Sequence, residues 1–149
     1  MITLRRATEE DCEIIFQWRN HPKVRHYFFD SSELSYSEHK KWFEESLKRD
    51  DRIILIAHND STPLGVLRFD SIETDENIAE IDIYVAPELQ GQGFGKMILS
   101  EGENWAIKNT RIKSLLARVR EENQASVKMF RHCGFMPAYI LLKKEIAER

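Results

Sequence analysis

Cysteine is scarce in this chain: two residues of 149, Cys12 and Cys133, with no paired spacing. That leaves no material for a disulfide framework or a cysteine-ligated zinc site, so both read as buried thiols and no metal is expected. Long apolar runs are absent as well, none nearing the roughly 20 residues that cross a bilayer. The opening MITLRRATEED carries arginines and acids where a secretory leader needs an apolar stretch, so a cytoplasmic chain without membrane attachment is expected. Excess positive charge is missing too: 22 Lys and Arg stand against 25 Asp and Glu, a formal charge of -3. Such a balance gives no broad cationic field and argues against nucleic acid as a partner. The 42% hydrophobic and 32% charged residues that remain suit a single globular domain over residues 1–149. A chain of that size buries about two thirds of the surface its unfolded form exposes.

No linker, repeat or low-complexity tract interrupts an alternation of strands and helices. ITLRRA reads as a strand, and Thr8 with Asp11 caps a helix through CEIIFQWRN, whose Ile14, Ile15 and Trp18 form an apolar stripe. HPKVRHYFFDSSELS, with Pro22 near its start, breaks the period and reads as an aromatic and basic loop, after which Ser35 opens the helix YSEHKKWFEESLKR. RIILIA is the continuous apolar run of a strand covered on both faces, the turn NDSTP joins it to LGVLRFD, and NIAEIDIYV alternates by twos. In that last strand Ile81, Ile83 and Val85 share one face and Glu80, Asp82 and Tyr84 the other, so one sheet face is polar at its middle. Phe94, Met97, Ile98 and Trp105 mark a helix to about Asn109, followed by a strand SLLARV, a helix NQASVKMFRHCG and a final strand FMPAYILLKK. The order is βααβββαβαβ, an α/β (α+β) pattern.

Between a strand and a helix lies ELQGQGFGKM, where three of the chain's six glycines, Gly91, Gly93 and Gly95, fall within five positions. A dinucleotide fingerprint would need glycine or alanine at Lys96, and a Walker loop would need glycine at Gln90 and serine or threonine at Met97, so neither nucleotide pattern holds. What is left is Gln-x-x-Gly-x-Gly at a helix amino terminus, where successive backbone N–H groups suit the anionic oxygens of a pyrophosphate. An ordinary strand-to-helix turn is the alternative for the glycines taken alone.

Together, IDIYVAPE, LQGQGFG and ENQASVKMFRHCGF resemble the two signature motifs of the GCN5-related N-acetyltransferase (GNAT) superfamily, and the element order resembles its fold across residues 1–149. The resemblance implies a mixed central sheet of six to seven strands with helices on both faces, and acetyl-coenzyme A as cosubstrate. It places the pyrophosphate on the stretch Gln90, Gly91, Gln92, Gly93, Phe94, Gly95 and Lys96. Val85 stands where backbone groups meet the pantetheine arm and polarise the thioester carbonyl, and Asn123 and Phe130 match the second motif. Asn123 is equally placed to cap the helix that follows it. Many relatives carry a tyrosine, the thiolate's proton donor, where this chain has Phe130. Tyr139 is then a candidate donor, with core or interface packing as its alternative. Glu80, on the face shared with Asp82 and Tyr84, is the first choice of base, with an ion pair to Arg68 as its alternative.

The acceptor amine should be met by the first forty residues. Arg19, Arg25 and His26 can clamp a diphosphate, and Tyr27, Phe28 or Phe29 can stack on a base or sugar; a solvated helix end with core aromatics is the alternative. WRNHPKVR with EHKKWF, in which Arg19, Asn20, His39 and Trp42 match, resembles the branch that acetylates the 4-amino group of UDP-linked amino-dideoxy sugars in pseudaminic acid biosynthesis for flagellin glycosylation. Ribosomal-protein N-terminal amine acetyltransferases are a second reading, although Arg118 and Phe130 stand where a well-known member has its glutamate base and tyrosine acid. A noncatalytic coenzyme A-binding module is a third. The final YILLKKEIAER is a candidate edge for pairing in a homodimer.

Overall fold

A computed structural model describes residues 1–28, 30, 32–72 and 75–147. Five strands, β1 (Ile2–Arg6), β2 (Arg52–Asn59), β3 (Thr62–Ile72), β4 (Asp75–Val85) and β5 (Ser114–Ala117), form one mixed sheet in sequence order. The first four are antiparallel to their neighbours and β5 runs parallel to β4. Helices α1 (Cys12–Asn20), α2 (Pro22–Arg25) and α3 (Tyr36–Leu47) precede β2, α4 (Phe94–Asn109) bridges β4 to β5, and α5 (Gln124–His132) follows β5.

The strand β2 explains the layering. Its Leu55 and Ala57 enter a core shared with Ile98, Leu99 and Ala106 of α4 and Phe130 of α5. On the opposite face Ile54 and Ile56 pack with Ile15 and Trp18 of α1 and Phe43 of α3. A strand covered on both faces has no solvent side, which is why its sequence is apolar without alternation. Cys12 is buried as expected, whereas Cys133 is only half-buried.

Two expectations are corrected. The stretch expected to form a final strand has no regular structure over residues 135–147, so the described sheet has five strands and not six to seven. The loop after α1 opens with a short helix, α2, where Pro22 takes a first-turn position that needs no N–H and the His21 ring accepts a bond from the Lys23 N–H. Phe29 lies outside the described residues. No helix among the described residues is long and apolar enough to cross a membrane.

The sheet opens where it matters for function. Pairing of β4 with β5 covers only Ile78–Ile81 against Ser114–Ala117. Beyond Ile81, β4 continues to Val85 against β3 while the chain after Ala117 turns away, so the β5 side of residues 82–85 has no strand partner among the described residues.

Candidate active site

A groove of about 590 Å³ occupies this gap, a volume typical of small-molecule sites. Its floor is Ile81–Val85 of β4, one wall is the glycine loop with α4, another is Asn123 with α5, and Lys23, Val24, Tyr27, Phe28 and Arg118–Arg120 close its rim. Gly91 and Gly93 adopt φ of 79° and 84°, a left-handed conformation that L side chains resist. Gly93 caps α4 in that state, so the first helical N–H groups turn toward the groove end. A Cβ at either glycine would meet nothing within 4 Å, which leaves room for a ligand against the backbone, while at Gly95 it would lie 2.9 Å from the Met129 sulfur. Gly95 therefore also lets α4 and α5 pack together.

Of the ten cofactor positions read from sequence, Val85, Gln90, Gly91, Gly93, Gly95, Lys96, Asn123 and Phe130 line the groove. Gln92 and Phe94 do not: the Gln92 amide bonds the Glu88 carbonyl and Phe94 packs against the core. Gln90 ties the loop to α2 through the Lys23 carbonyl at 3.4 Å. Asn123 caps α5, accepting from the Ser126 N–H at 3.3 Å, and also borders the groove, so capping does not take it out of reach of a ligand there. The sequence reading missed Lys128 and His132, which add basic groups beside Lys96, and Lys96 Nζ contacts His132 Nε2 directly. That contact joins two helices 36 positions apart in sequence, and no local pattern announces it. A glycine-bounded helix amino terminus, open space above it and cations nearby fit a diphosphate linked to a long neutral arm lying along unpaired β4, the outline of coenzyme A.

On the reaction side, Glu80, Asp82 and Tyr84 share a face as expected, and strand register decides their partners. Arg68 lies opposite Asp82 and Asp70 opposite Glu80. The ion pair anticipated between Glu80 and Arg68 is therefore not formed. Arg68 pairs with Asp70 at 3.1 Å and Asp82 at 3.7 Å, and Glu80 pairs with Arg118 at 3.6 Å. Burial holds the Tyr84 hydroxyl above its ordinary pKa, an effect Arg19 opposes and Asp82 reinforces, so Tyr84 keeps its proton at neutral pH. Tyr139 lies in the exposed carboxyl-terminal stretch at 69% exposure and does not line the groove; Glu80 does not line it either, but pairs with Arg118, which does. The lining hydroxyls are those of Tyr27, Tyr84 and Ser126.

The five acceptor residues divide by role. Arg25 pairs with Glu33 at 3.5 Å, and Asn20 accepts from the Leu34 N–H at 2.9 Å, so both pin the loop after α2 instead of facing the groove. His39 is 2% exposed among Phe16, Trp42 and Phe43, with Nε2 unpartnered among the described residues. Its spacing with Phe43 and Ser46, all buried on α3, carried that signal in the sequence. Trp42 lies beneath three guanidinium groups, those of Arg19, Arg52 and Arg68, at 5.2, 5.3 and 5.6 Å. Arg52 is held by Asp70 at 2.7 Å. Arg19 is different: it sits between the Phe28 and Trp42 rings, 4.9 Å from the former, with no ion pair or hydrogen bond among the described residues. Burial pushes its guanidinium below the ordinary value, with Tyr84 and Asp82 partly compensating. Phe28 packs edge-on against Tyr84 at 5.9 Å, which places Arg19 one ring from the groove.

Burial also lowers the pKa of His39, a shift opposed by a bond to the Cys12 backbone. A histidine kept neutral in the fold binds a proton more readily when unfolded, so stability should fall as pH drops through its unfolded value of about 6.5. We expect His39→Phe to remove this component from thermal unfolding between pH 7 and 5 while changing stability at pH 7 by only about 1 kcal/mol. An unaltered pH dependence in the variant would reject a buried neutral imidazole as its source.

A sheet splayed beside a glycine loop, with a carboxylate-bearing strand and an elongated groove, fits the architecture of an acyl-group transferase. The acetyltransferase (GNAT) domain family matches residues 1–136, and the chain belongs to that family. It is 27% identical over 138 residues, 91% of this chain and 85% of the other, to acetyltransferase PseH of Campylobacter jejuni. Among solved structures it is similar to spermidine N-acetyltransferase of Vibrio cholerae in complex with CoA and spermine, with a TM-score of 0.87 at 20% identity over 99% of this chain and 88% of that one. An aminoglycoside acetyltransferase in complex with coenzyme A superposes with a TM-score of 0.81 at 17% identity, covering 91% and 84% of the two chains. The protein is thus an acetyltransferase of the GNAT type, with CoA bound by structures that share its fold.

Proposed function

We propose that the chain is a cytoplasmic N-acetyltransferase that moves an acetyl group from acetyl-coenzyme A to a primary amine, the 4-amino group of a UDP-linked amino-dideoxy sugar, as in pseudaminic acid assembly for flagellin glycosylation. The observation that carries the choice of acceptor is Arg19, a guanidinium held between two rings with no anionic partner of its own. A desolvated cation without a direct ion pair, only partly compensated by Asp82 at a distance, favours an anionic ligand and opposes a polycation. Lys23 on the groove rim adds to the same field, whereas Arg118 and Arg120 there are paired with Glu80 and Glu122. Spermine or an aminoglycoside, the acceptors bound by proteins of similar fold, would bring more positive charge into it. A diphosphate brings two negative charges and oxygens that match the guanidinium fork.

The proposed chemistry follows from the strand face. The neutral amine attacks the thioester carbonyl carbon, the carbon–sulfur bond breaks, and the amine proton passes to Glu80 directly or through one water. Backbone N–H at Val85 serves the developing oxyanion. Phe130 has no proton for the departing thiolate, and Tyr84, protonated and lining the groove, takes that place. Acetyl-coenzyme A supplies the activated acyl group; the chain supplies position and proton transfer.

The test is CoA release with product mass for UDP-4-amino sugars, spermidine and amino-terminal peptides side by side. Transfer confined to the sugar supports the proposal. Transfer to spermidine or peptide alone replaces the acceptor while leaving the enzyme class, and CoA binding without transfer to any of them supports a noncatalytic module. Within the proposal, Glu80→Gln should reduce kcat by about 100-fold or more and leave acetyl-CoA affinity unchanged. A wild-type rate across pH would remove Glu80 as base.

A further inference from the structure

Three guanidinium groups gather on one ring. Arg19 of α1, Arg52 of β2 and Arg68 of β3 reach the half-buried Trp42 of α3, with their guanidinium carbons 5.2, 5.3 and 5.6 Å from its centre. Like charges this close repel one another. After burial, the Arg68 and Arg52 charges help to hold the Arg19 guanidinium below its ordinary value. Strand register supplies the carboxylate that permits the gathering. Asp70 lies opposite Arg52 on the neighbouring strand and two positions from Arg68 on its own, so all three share one sheet face. Its Oδ1 accepts from Arg52 Nε at 2.7 Å and its Oδ2 from Arg68 Nε at 3.1 Å. Arg52 also donates through Nη1 to the Ser46 hydroxyl at 3.0 Å, and Arg68 faces Asp82 of the groove floor at 3.7 Å. Three cations thus meet two carboxylates, and the positive charge left over is that of Arg19.

We infer that Asp70 determines acceptor specificity: by holding Arg52 and Arg68 on Trp42, it sets the acceptor side at one free guanidinium. This assignment depends on the acceptor side proposed above, the edge of the groove formed by Arg19, Phe28 and Tyr84. Asp70 does not line the groove, so it acts through the two arginines as a positioning residue. The side chains of Arg52 and Arg68 are 13% and 21% exposed, so solvent screens their charges weakly. Asp70→Asn keeps the shape of the side chain and removes its charge, which frees a second guanidinium fork beside Arg19. A carboxylate that only pinned α3 to the sheet would, when neutralised, disturb every acceptor alike. One that sets the local charge moves an anion and a polycation in opposite directions.

Titration calorimetry of the full chain with UDP and with spermidine, in the absence of acetyl transfer, tests this apart from turnover. Asp70→Asn should bind UDP about tenfold more tightly and spermidine about tenfold more weakly than the wild type, the effect of one charge at a partly desolvated site. The double variant Arg19→Ala, Asp70→Asn should regain about tenfold of the UDP affinity lost in Arg19→Ala, because a freed Arg68 takes over beside Trp42. Asp70→Glu keeps the charge and should keep the wild-type preference. Ser46→Ala loosens the same anchor of α3 without changing charge and should leave the preference as it is; it serves as the reading if Asp70→Asn fails to fold, since a shift in preference there would assign the effect to α3 and overturn the role of Asp70. Affinities for both probes that stay unchanged in Asp70→Asn, or move together, overturn it as well, as does a wild type that binds neither probe. A wild type that binds and acetylates spermidine alone would end the sugar-nucleotide reading, while weaker spermidine binding by Asp70→Asn would still uphold the assignment of Asp70.

Discussion

Gly93→Val should weaken acetyl-CoA binding by about 100-fold while leaving the domain folded. Gly93 caps α4 at φ 84°, where an L side chain costs roughly 1–2 kcal/mol and a β-branched one more. Relief requires the loop to move, and moving it swings the first N–H groups of α4 away from the groove. A loss of about 2.7 kcal/mol corresponds to the stated factor. The added side chain projects into open space, so packing elsewhere is spared and the loss should appear in ligand affinity more than in unfolding temperature. Titration calorimetry of the variant, with Gly93→Ala as the milder member, reads the effect directly. Native affinity in both would separate the glycine loop from the cosubstrate.

Arg19→Ala should lower kcat/KM for the UDP-linked amino sugar by about 100-fold, the value of two charge-assisted hydrogen bonds to phosphate oxygens at roughly 1.5 kcal/mol each. Two features of the site sharpen this expectation. Arg52 and Arg68 share Trp42 with Arg19 but are committed to Asp70, so neither substitutes for it. Removal of Arg19 also takes away an unpaired desolvated charge, so the free enzyme should not lose stability and the defect should be specific to the acceptor. Arg19→Lys keeps the charge but not the fork and should recover only part of the loss. Equal kinetics of wild type and Arg19→Ala on the sugar nucleotide, with unchanged discrimination against spermidine, would end the proposed role of this residue.

The parts of this architecture that were legible in the sequence are the ones written locally. Alternation in β4 placed Glu80, Asp82 and Tyr84 on one face without knowledge of any neighbour, and the glycine spacing marked the turn into α4, because side-chain period and backbone handedness are properties of a few consecutive residues. What failed depended on partners. YILL has the composition of a strand, yet a strand exists only when another edge receives its hydrogen bonds, and within one copy of the described chain none does. Arg68 looked available to Glu80, but the antiparallel register set it opposite Asp82, and Arg118 reached Glu80 from β5. His39 matches the acceptor segment by resemblance, although its four-residue spacing to Phe43 marks the inner face of α3. The meeting of Arg19, Phe28 and Trp42 joins three separate segments and could be drawn only from the folded chain.

The parting of β4 from β5 has a consequence for the protein's life outside the catalytic cycle. A cosubstrate lying in that gap would stand in for a missing strand, so it would act as a folding partner as well as a reactant. At a concentration 100 times its dissociation constant it would add about 2.7 kcal/mol to the native state, worth several degrees of melting temperature in a domain of this size. Cells short of acetyl-CoA would then hold a looser form with an open strand edge, more prone to proteolysis and to association with other edges. Abundance of the enzyme would then respond to the supply of its own acyl donor.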